Sequence, residues 1–123
     1  MRTRFEVRKA ARLPVEVISA EWDEPVTLTT SDMSPRGCFI RTGVLVDEGE
    51  EVVIAFRLGE GGEEMLLFGE VARVAIQRRR SDVGATGFGI RFTDIRAMDR
   101  IRIRERLRGV PPPLPHQYPS MAA

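Results

Sequence analysis

Arg8 and Arg12, in the string Arg8-Lys9-Ala10-Ala11-Arg12, set two guanidinium groups on one short basic segment. Guanidinium forks suit phosphate oxygens and the acceptor edge of guanine. Further along, Asp32-Met33-Ser34-Pro35-Arg36-Gly37 places a carboxylate, a hydroxyl and a glycine at a turn between two apolar segments. A carboxylate accepts from a purine N–H pair, a hydroxyl donates or accepts, and a glycine lets backbone come close to a ligand. Taken singly, each string has a plainer explanation. R-x-x-x-R alone is an exposed arm with scattered charge. D-x-S-x-x-G alone is a structural turn in which Asp32 caps, Ser34-Pro35 initiates and Gly37 adopts a left-handed conformation.

The elements that must position these residues follow from periodicity. Leu13, Val15 and Val17 alternate with Pro14, Glu16 and Ile18, which predicts a strand, and Trp22 closes that segment before Asp23-Glu24-Pro25. Val26–Thr30 is a second strand and Cys38–Thr42 a third, with Ser34–Gly37 breaking between them. Val44, Leu45 and Val46, in the loop from Gly43 to Gly49, are expected to tuck under the sheet. Glu51–Leu58 and Glu64–Ile76 make a fourth and fifth strand joined at Gly59–Gly62, with Gly69 marking a bend or bulge. Phe88–Phe92 is the sixth. Six short strands with frequent turn signals point to a small closed β-barrel. One helix follows, capped by Thr93 or Asp94 and stopped by Gly109, with Ile95, Met98, Ile101 and Leu107 on its apolar face and Ile103 on another side. The expected organisation is a mobile basic arm over 1–12, the barrel and its helix over 13–110, and a Pro-rich disordered tail over 111–123.

These 123 residues suit one modest domain, with 42% hydrophobic and 30% charged residues. The net charge of +1 hides a segregation. Residues 1–12 carry five basic and one acidic residue, 13–77 four basic and thirteen acidic, and 78–123 ten basic and four acidic. A solvated acidic body with a basic helix explains this as well as two cationic ends offered to an anion. No apolar run approaches a membrane span, and no apolar h-region follows the basic start, so neither a span nor a signal peptide is expected. The single cysteine, Cys38, excludes an internal disulfide and any multi-cysteine metal site, and the cytoplasm is the expected location. His116 is the one histidine and lies in the Pro-rich tail, Cys38 has no base near it in sequence, and no paired carboxylates stand at a catalytic spacing. The expectation is no enzyme, no metal and no cofactor. A nucleic-acid role for the arm and helix is disfavoured by the acidic body and by an aromatic content of 7%, most of it needed for the core.

With its context, the pair of motifs resembles the PilZ domain, the bacterial receptor module for cyclic di-GMP. Gly37-Cys38-Phe39-Ile40-Arg41-Thr42 resembles the family's G-x-F-I/V-x-T run, Gly69-Glu70-Val71 its penultimate strand, and Gly87-Phe88-Gly89-Ile90-Arg91-Phe92 its G-x-G-V-x-F run before the closing helix. Each match is weak alone, but the five occur in the family's order across roughly residues 8–108. The resemblance implies an all-β, six-stranded antiparallel PilZ-type barrel with one C-terminal helix, and a receptor that passes a signal to a protein partner, for example in motility. In that role Arg8 and Arg12 would clamp phosphate and pair with or stack on guanine. Asp32 would accept from the guanine Watson–Crick edge, Ser34 would add a hydrogen bond, and Gly37 would leave room. Lys9, Arg36 and Arg73 are further candidates. Arg73 is explained equally by a cross-strand acidic partner, Lys9 and Arg36 by solvation. The arm would order on binding. A PilZ-fold adaptor that no longer binds the nucleotide is the alternative, although intact Arg8, Arg12, Asp32, Ser34 and Gly37 argue for binding. Family members that hold a stacked pair of nucleotides often carry an arginine just before R-x-x-x-R. Val7 stands there, which implies one ligand per chain.

Overall fold

A computed structural model describes residues 9–58, 62–75 and 86–110. Six strands, β1 (Pro14–Ser19), β2 (Val26–Ser34), β3 (Gly37–Arg41), β4 (Glu51–Arg57), β5 (Glu64–Ala75) and β6 (Gly87–Asp94), precede one helix, α1 (Ala97–Arg106). The strands close into an antiparallel barrel in the order β1-β2-β3-β6-β5-β4. Closure leaves no unpaired sheet edge to template association.

Period-two alternation sorts the side chains. Val15 and Val17 of β1, Val52, Ile54 and Phe56 of β4, and Met65 and Leu67 of β5 point inward and are buried. Each buried aliphatic or aromatic side chain contributes roughly 1.5–3 kcal/mol over leaving it in water. Three irregularities break strict alternation. β2 shifts register between Thr30 and Asp32, and β5 shifts at Phe68/Gly69 and again at Val71/Arg73. The bend expected at Gly69 is therefore present.

Two loop and helix expectations need correction. Val46 packs against the core, but Leu45 is 81% exposed rather than tucked under the barrel. On α1 the buried face is Ile103 and Leu107, which join the barrel core, whereas Met98 and Ile101 face solvent. Ile103 and Leu107 lie one turn apart, so they share a face that Met98 and Ile101 do not. Thr93 and Asp94 do not cap α1 because β6 continues through them. The N-cap is Arg96, which makes no side-chain capping hydrogen bond. The stop at Gly109 is as expected, with φ at +84°, a left-handed conformation that favours glycine.

The loop before β4 is fastened to the barrel by Glu50. Its carboxylate accepts from the Asp47 N–H (3.1 Å) and from the Ser19 hydroxyl, while the Val71 N–H donates to the Glu50 carbonyl (2.9 Å). The residues assigned to the Pro-rich tail, 111–123, lie outside the described residues, as do Gly59–Gly61 and the Arg78-Arg79-Arg80 run.

Candidate functional site

The basic segment and the β2–β3 turn meet through backbone. The Lys9 N–H donates to the Met33 carbonyl (2.7 Å), and the Met33 N–H donates back to the Lys9 carbonyl (2.9 Å), an isolated antiparallel bridge. This lays residue 9 beside the middle of D-x-S, with Asp32 and Ser34 on either side of its partner. Thr30 fastens the next stretch. Its hydroxyl donates to the Ala11 carbonyl (2.6 Å) and accepts from the Leu13 N–H (3.0 Å), while its own N–H donates to the Leu13 carbonyl (2.9 Å). From Lys9 onward the segment expected to be a mobile arm is thus pinned along β2. Ala11 turns inward to the core and Arg12 outward to solvent. Arg8 lies outside the described residues.

The turn is built as tightly. Ser34 pairs with Gly37 across it, and the Ser34 hydroxyl accepts from the Arg36 N–H (3.1 Å). The Phe92 N–H donates to the Arg36 carbonyl (2.8 Å), tying the turn to β6, and the Arg36 side chain is exposed. Gly37 does not take the left-handed conformation that a purely structural turn would have given it. Its glycine requirement is one of space, since a Cβ there would lie 2.1 Å from the Ile90 carbonyl oxygen.

The bulge in β2 sets what stands beside Asp32. The register pairs Asp32 with Phe39, Phe39 with Gly89 and Gly89 with Arg73, so these residues form one row across β2, β3, β6 and β5. Phe39 points away from the barrel interior that Cys38 and Ile40 fill, yet it is almost fully buried. The absence of a side chain at Gly89 opens the row between it and Arg73. The Arg73 guanidinium carbon stands 5.4 Å from the centroid of the Phe39 ring, a cation–π contact. Arg73 is therefore explained by an aromatic partner rather than by the acidic cross-strand partner considered above. Asp32 is 0% exposed, and the Ser31 hydroxyl donates to its Oδ2 (3.4 Å).

The structure thus brings Lys9, Arg12, Asp32, Ser34, Arg36, Gly37 and Arg73 onto the β2–β3–β6–β5 side of the barrel. Two contributors escaped the motif reading. In the sequence Thr30 stands only as the last residue of a strand, and Phe39 only as part of a family string. Phe39 had a legible signal, because it sits out of phase with the inward-facing Cys38 and Ile40. Chemically the arrangement offers guanidinium donors, a shielded carboxylate acceptor, a hydroxyl and an arginine-covered ring, a set suited to holding a planar, anionic heterocycle. Among the described residues no three His, Cys, Asp or Glu side chains group as metal ligands, Cys38 is buried, and His116 is not described. No described helix is long and apolar enough to cross a membrane.

A family model of the PilZ domain matches residues 2–109. Among solved structures, the Bacillus subtilis inhibitor of motility MotI/DgrA is similar with a TM-score of 0.69 at 18% identity, over 88% of this chain and 51% of that one. The chain therefore spans about half the length of that protein. The PilZ domain of CeSA from a cellulose-synthesizing bacterium gives a TM-score of 0.56 at 25% identity, over 82% of this chain and 95% of that one. The PilZ domain of Escherichia coli YcgR, solved with c-di-GMP, gives 0.63 at 15% identity, over 86% and 88%. No curated protein sequence matches the chain.

Proposed function

The chain belongs to the PilZ domain family, and we propose that it is a receptor for cyclic di-GMP, with the nucleotide held between the R-x-x-x-R segment and the β2–β3 turn. The observation that carries this reading is the Lys9–Met33 bridge, which sets the basic segment beside Asp32 and Ser34. Arg8 and Arg12 clamp the phosphates and engage guanine by charge-assisted hydrogen bonds. Asp32 accepts from the guanine Watson–Crick edge and Ser34 adds a hydrogen bond. Gly37 acts through the turn, by letting β3 and β6 close up beneath the ligand. The Phe39 ring under Arg73 supports a role for Arg73 as a base-facing cation, with Lys9 and Arg36 as flanking charges. Binding draws the part of the arm ahead of Lys9, Arg8 included, onto the nucleotide, which changes the surface offered to a protein partner. The site needs no catalysis, metal or cofactor. The YcgR domain holds c-di-GMP and the MotI/DgrA protein inhibits motility. By extension, the receptor acts in the cytoplasm on motility or another surface-associated behaviour.

Calorimetry with cyclic di-GMP, using GTP and cyclic di-AMP as controls, tests the reading. Saturable heat with cyclic di-GMP alone is expected. Silence with all three nucleotides contradicts it and leaves the protein-interaction adaptor of the same fold.

A further inference from the structure

Six large apolar side chains are exposed among the described residues, and five of them gather on one side of the molecule, away from the Asp32 row. Ile18 and Phe68, 38% and 50% exposed, stand in one cross-strand row with Val53 on the outer wall of β1, β4 and β5. Leu66, 59% exposed, lies in the next outward row with Ala55 and Glu16. The remaining two, Met98 (59%) and Ile101 (46%), are on the outer face of α1. The helix adjoins the wall, because Asp94, just before it, pairs with Phe68, and Arg102 reaches Glu63 (3.3 Å), just ahead of β5. Exposed apolar side chains gathered on one wall and on the helix that follows it mark an interaction site.

Its charge is divided. On the wall, Glu16, Glu51 and Glu64 are exposed around the apolar rows and outnumber Arg57, which is exposed opposite Glu64. On the helix, Arg100, Arg104 and Arg106 are exposed beside Met98 and Ile101. Arg100 and Arg104 sit one turn apart, a like-charge spacing that disfavours an isolated helix. A groove of about 500 Å³ beside the wall, lined in part by Ile18, Val52, Val53 and Phe68, can seat an apolar side chain.

We propose that this surface binds a second copy of the chain in a two-fold symmetric dimer, the acidic wall of each copy against the basic helix of the other. An apolar wall rimmed by carboxylates complements an apolar helix face rimmed by arginines, and rotation by a two-fold axis lays wall on helix twice, apolar on apolar and acid on base each time. The dimer leaves the Asp32 row uncovered and does not depend on which ligand that row takes.

Sedimentation velocity over a wide concentration range tests this. The unmodified chain is expected to reach twice its 13.8 kDa mass. Leu66→Glu and Phe68→Glu, at exposed positions that leave the fold intact, are expected to raise the dimer dissociation constant about thirtyfold or more. Two charge-reversed chains make the decisive arm: one carrying Glu16→Lys with Glu64→Lys, the other Arg100→Glu with Arg104→Glu. Each alone is expected to be monomeric, and their mixture to recover the dimer, because both halves of the mixed contact are again complementary. A monomeric unmodified chain, a dimer indifferent to Leu66→Glu and Phe68→Glu, or a mixture that fails to associate would overturn the proposal.

Discussion

Arg12 and Thr30 divide the work of one contact. Arg12 carries the charge, and Thr30 fixes the backbone on both sides of it through Ala11 and Leu13. Arg12→Ala should weaken cyclic di-GMP binding tenfold to a hundredfold, the loss of a charge-assisted hydrogen bond of roughly 1.5–3 kcal/mol. Thr30→Val keeps the shape but leaves the Ala11 carbonyl and the Leu13 N–H without their partner, at a cost of about 1–3 kcal/mol in stability. It should also weaken binding although it touches no ligand atom. Calorimetry on the folded variant checks this, and parental affinity would show that Arg12 does not need that anchor. Asp32 and Arg8 separate by salt. If Asp32 reads a base edge as proposed, an Asp32→Ala loss should vary little with ionic strength, because the carboxylate is buried, whereas an Arg8→Ala loss should shrink as salt screens phosphate attraction. Equal salt dependence would remove the distinction between the two roles. Arg8, Arg12, Asp32 and Ser34 were legible as candidates only in company, because each string alone reads as a charged arm or a structural turn and the five strings in order do not. Thr30 was not, since a threonine in a β-branched run reads as packing until its hydroxyl partners are located.

At the scale of elements, the strands were legible because alternation is a local signal and every one of them has an inward face. The helix was not read correctly. Ile95, Met98, Ile101 and Leu107 were assigned to one apolar face, but which face of a short helix packs is decided by where the barrel mouth lies, and the sequence carries apolar residues on two sides. Ile103 and Leu107 are the ones that plug the core. Ile103→Ala should therefore cost about 2–5 kcal/mol in unfolding free energy. Ile101→Ala should stay within about 0.5 kcal/mol when measured at dilutions where the chain is a single copy. Chemical denaturation of both variants decides the assignment, and comparable losses would mean that the helix packs differently. The bulge in β2 was equally hidden, because it follows from how β2 meets β3, and it is what aligns Asp32 with Phe39.

For the whole molecule, the segregation of charge resolves into separate surfaces. Lys9 and Arg12 lie along β2 at the candidate nucleotide site. Arg102 of α1 meets Glu63 beside the β1–β4–β5 wall, whose apolar rows are separate from the Asp32 row. Residues 111–123 contain none of the motif residues and follow the helix stop at Gly109. Their deletion should leave both cyclic di-GMP affinity and melting temperature nearly unchanged. A marked fall in either would assign the tail a place on the barrel or the ligand.

The central claim is that the basic segment and the β2–β3 turn together make one nucleotide site per chain. Val7 precedes R-x-x-x-R and offers neither charge nor a planar fork, and Lys9 is a poor substitute for a guanidinium that must pair and stack. Calorimetric titration of the unmodified protein with cyclic di-GMP, repeated on Val7→Arg, measures this directly. The account predicts one ligand per chain for the unmodified protein and tighter binding for Val7→Arg. No binding, or a stoichiometry near two without the added arginine, would contradict it.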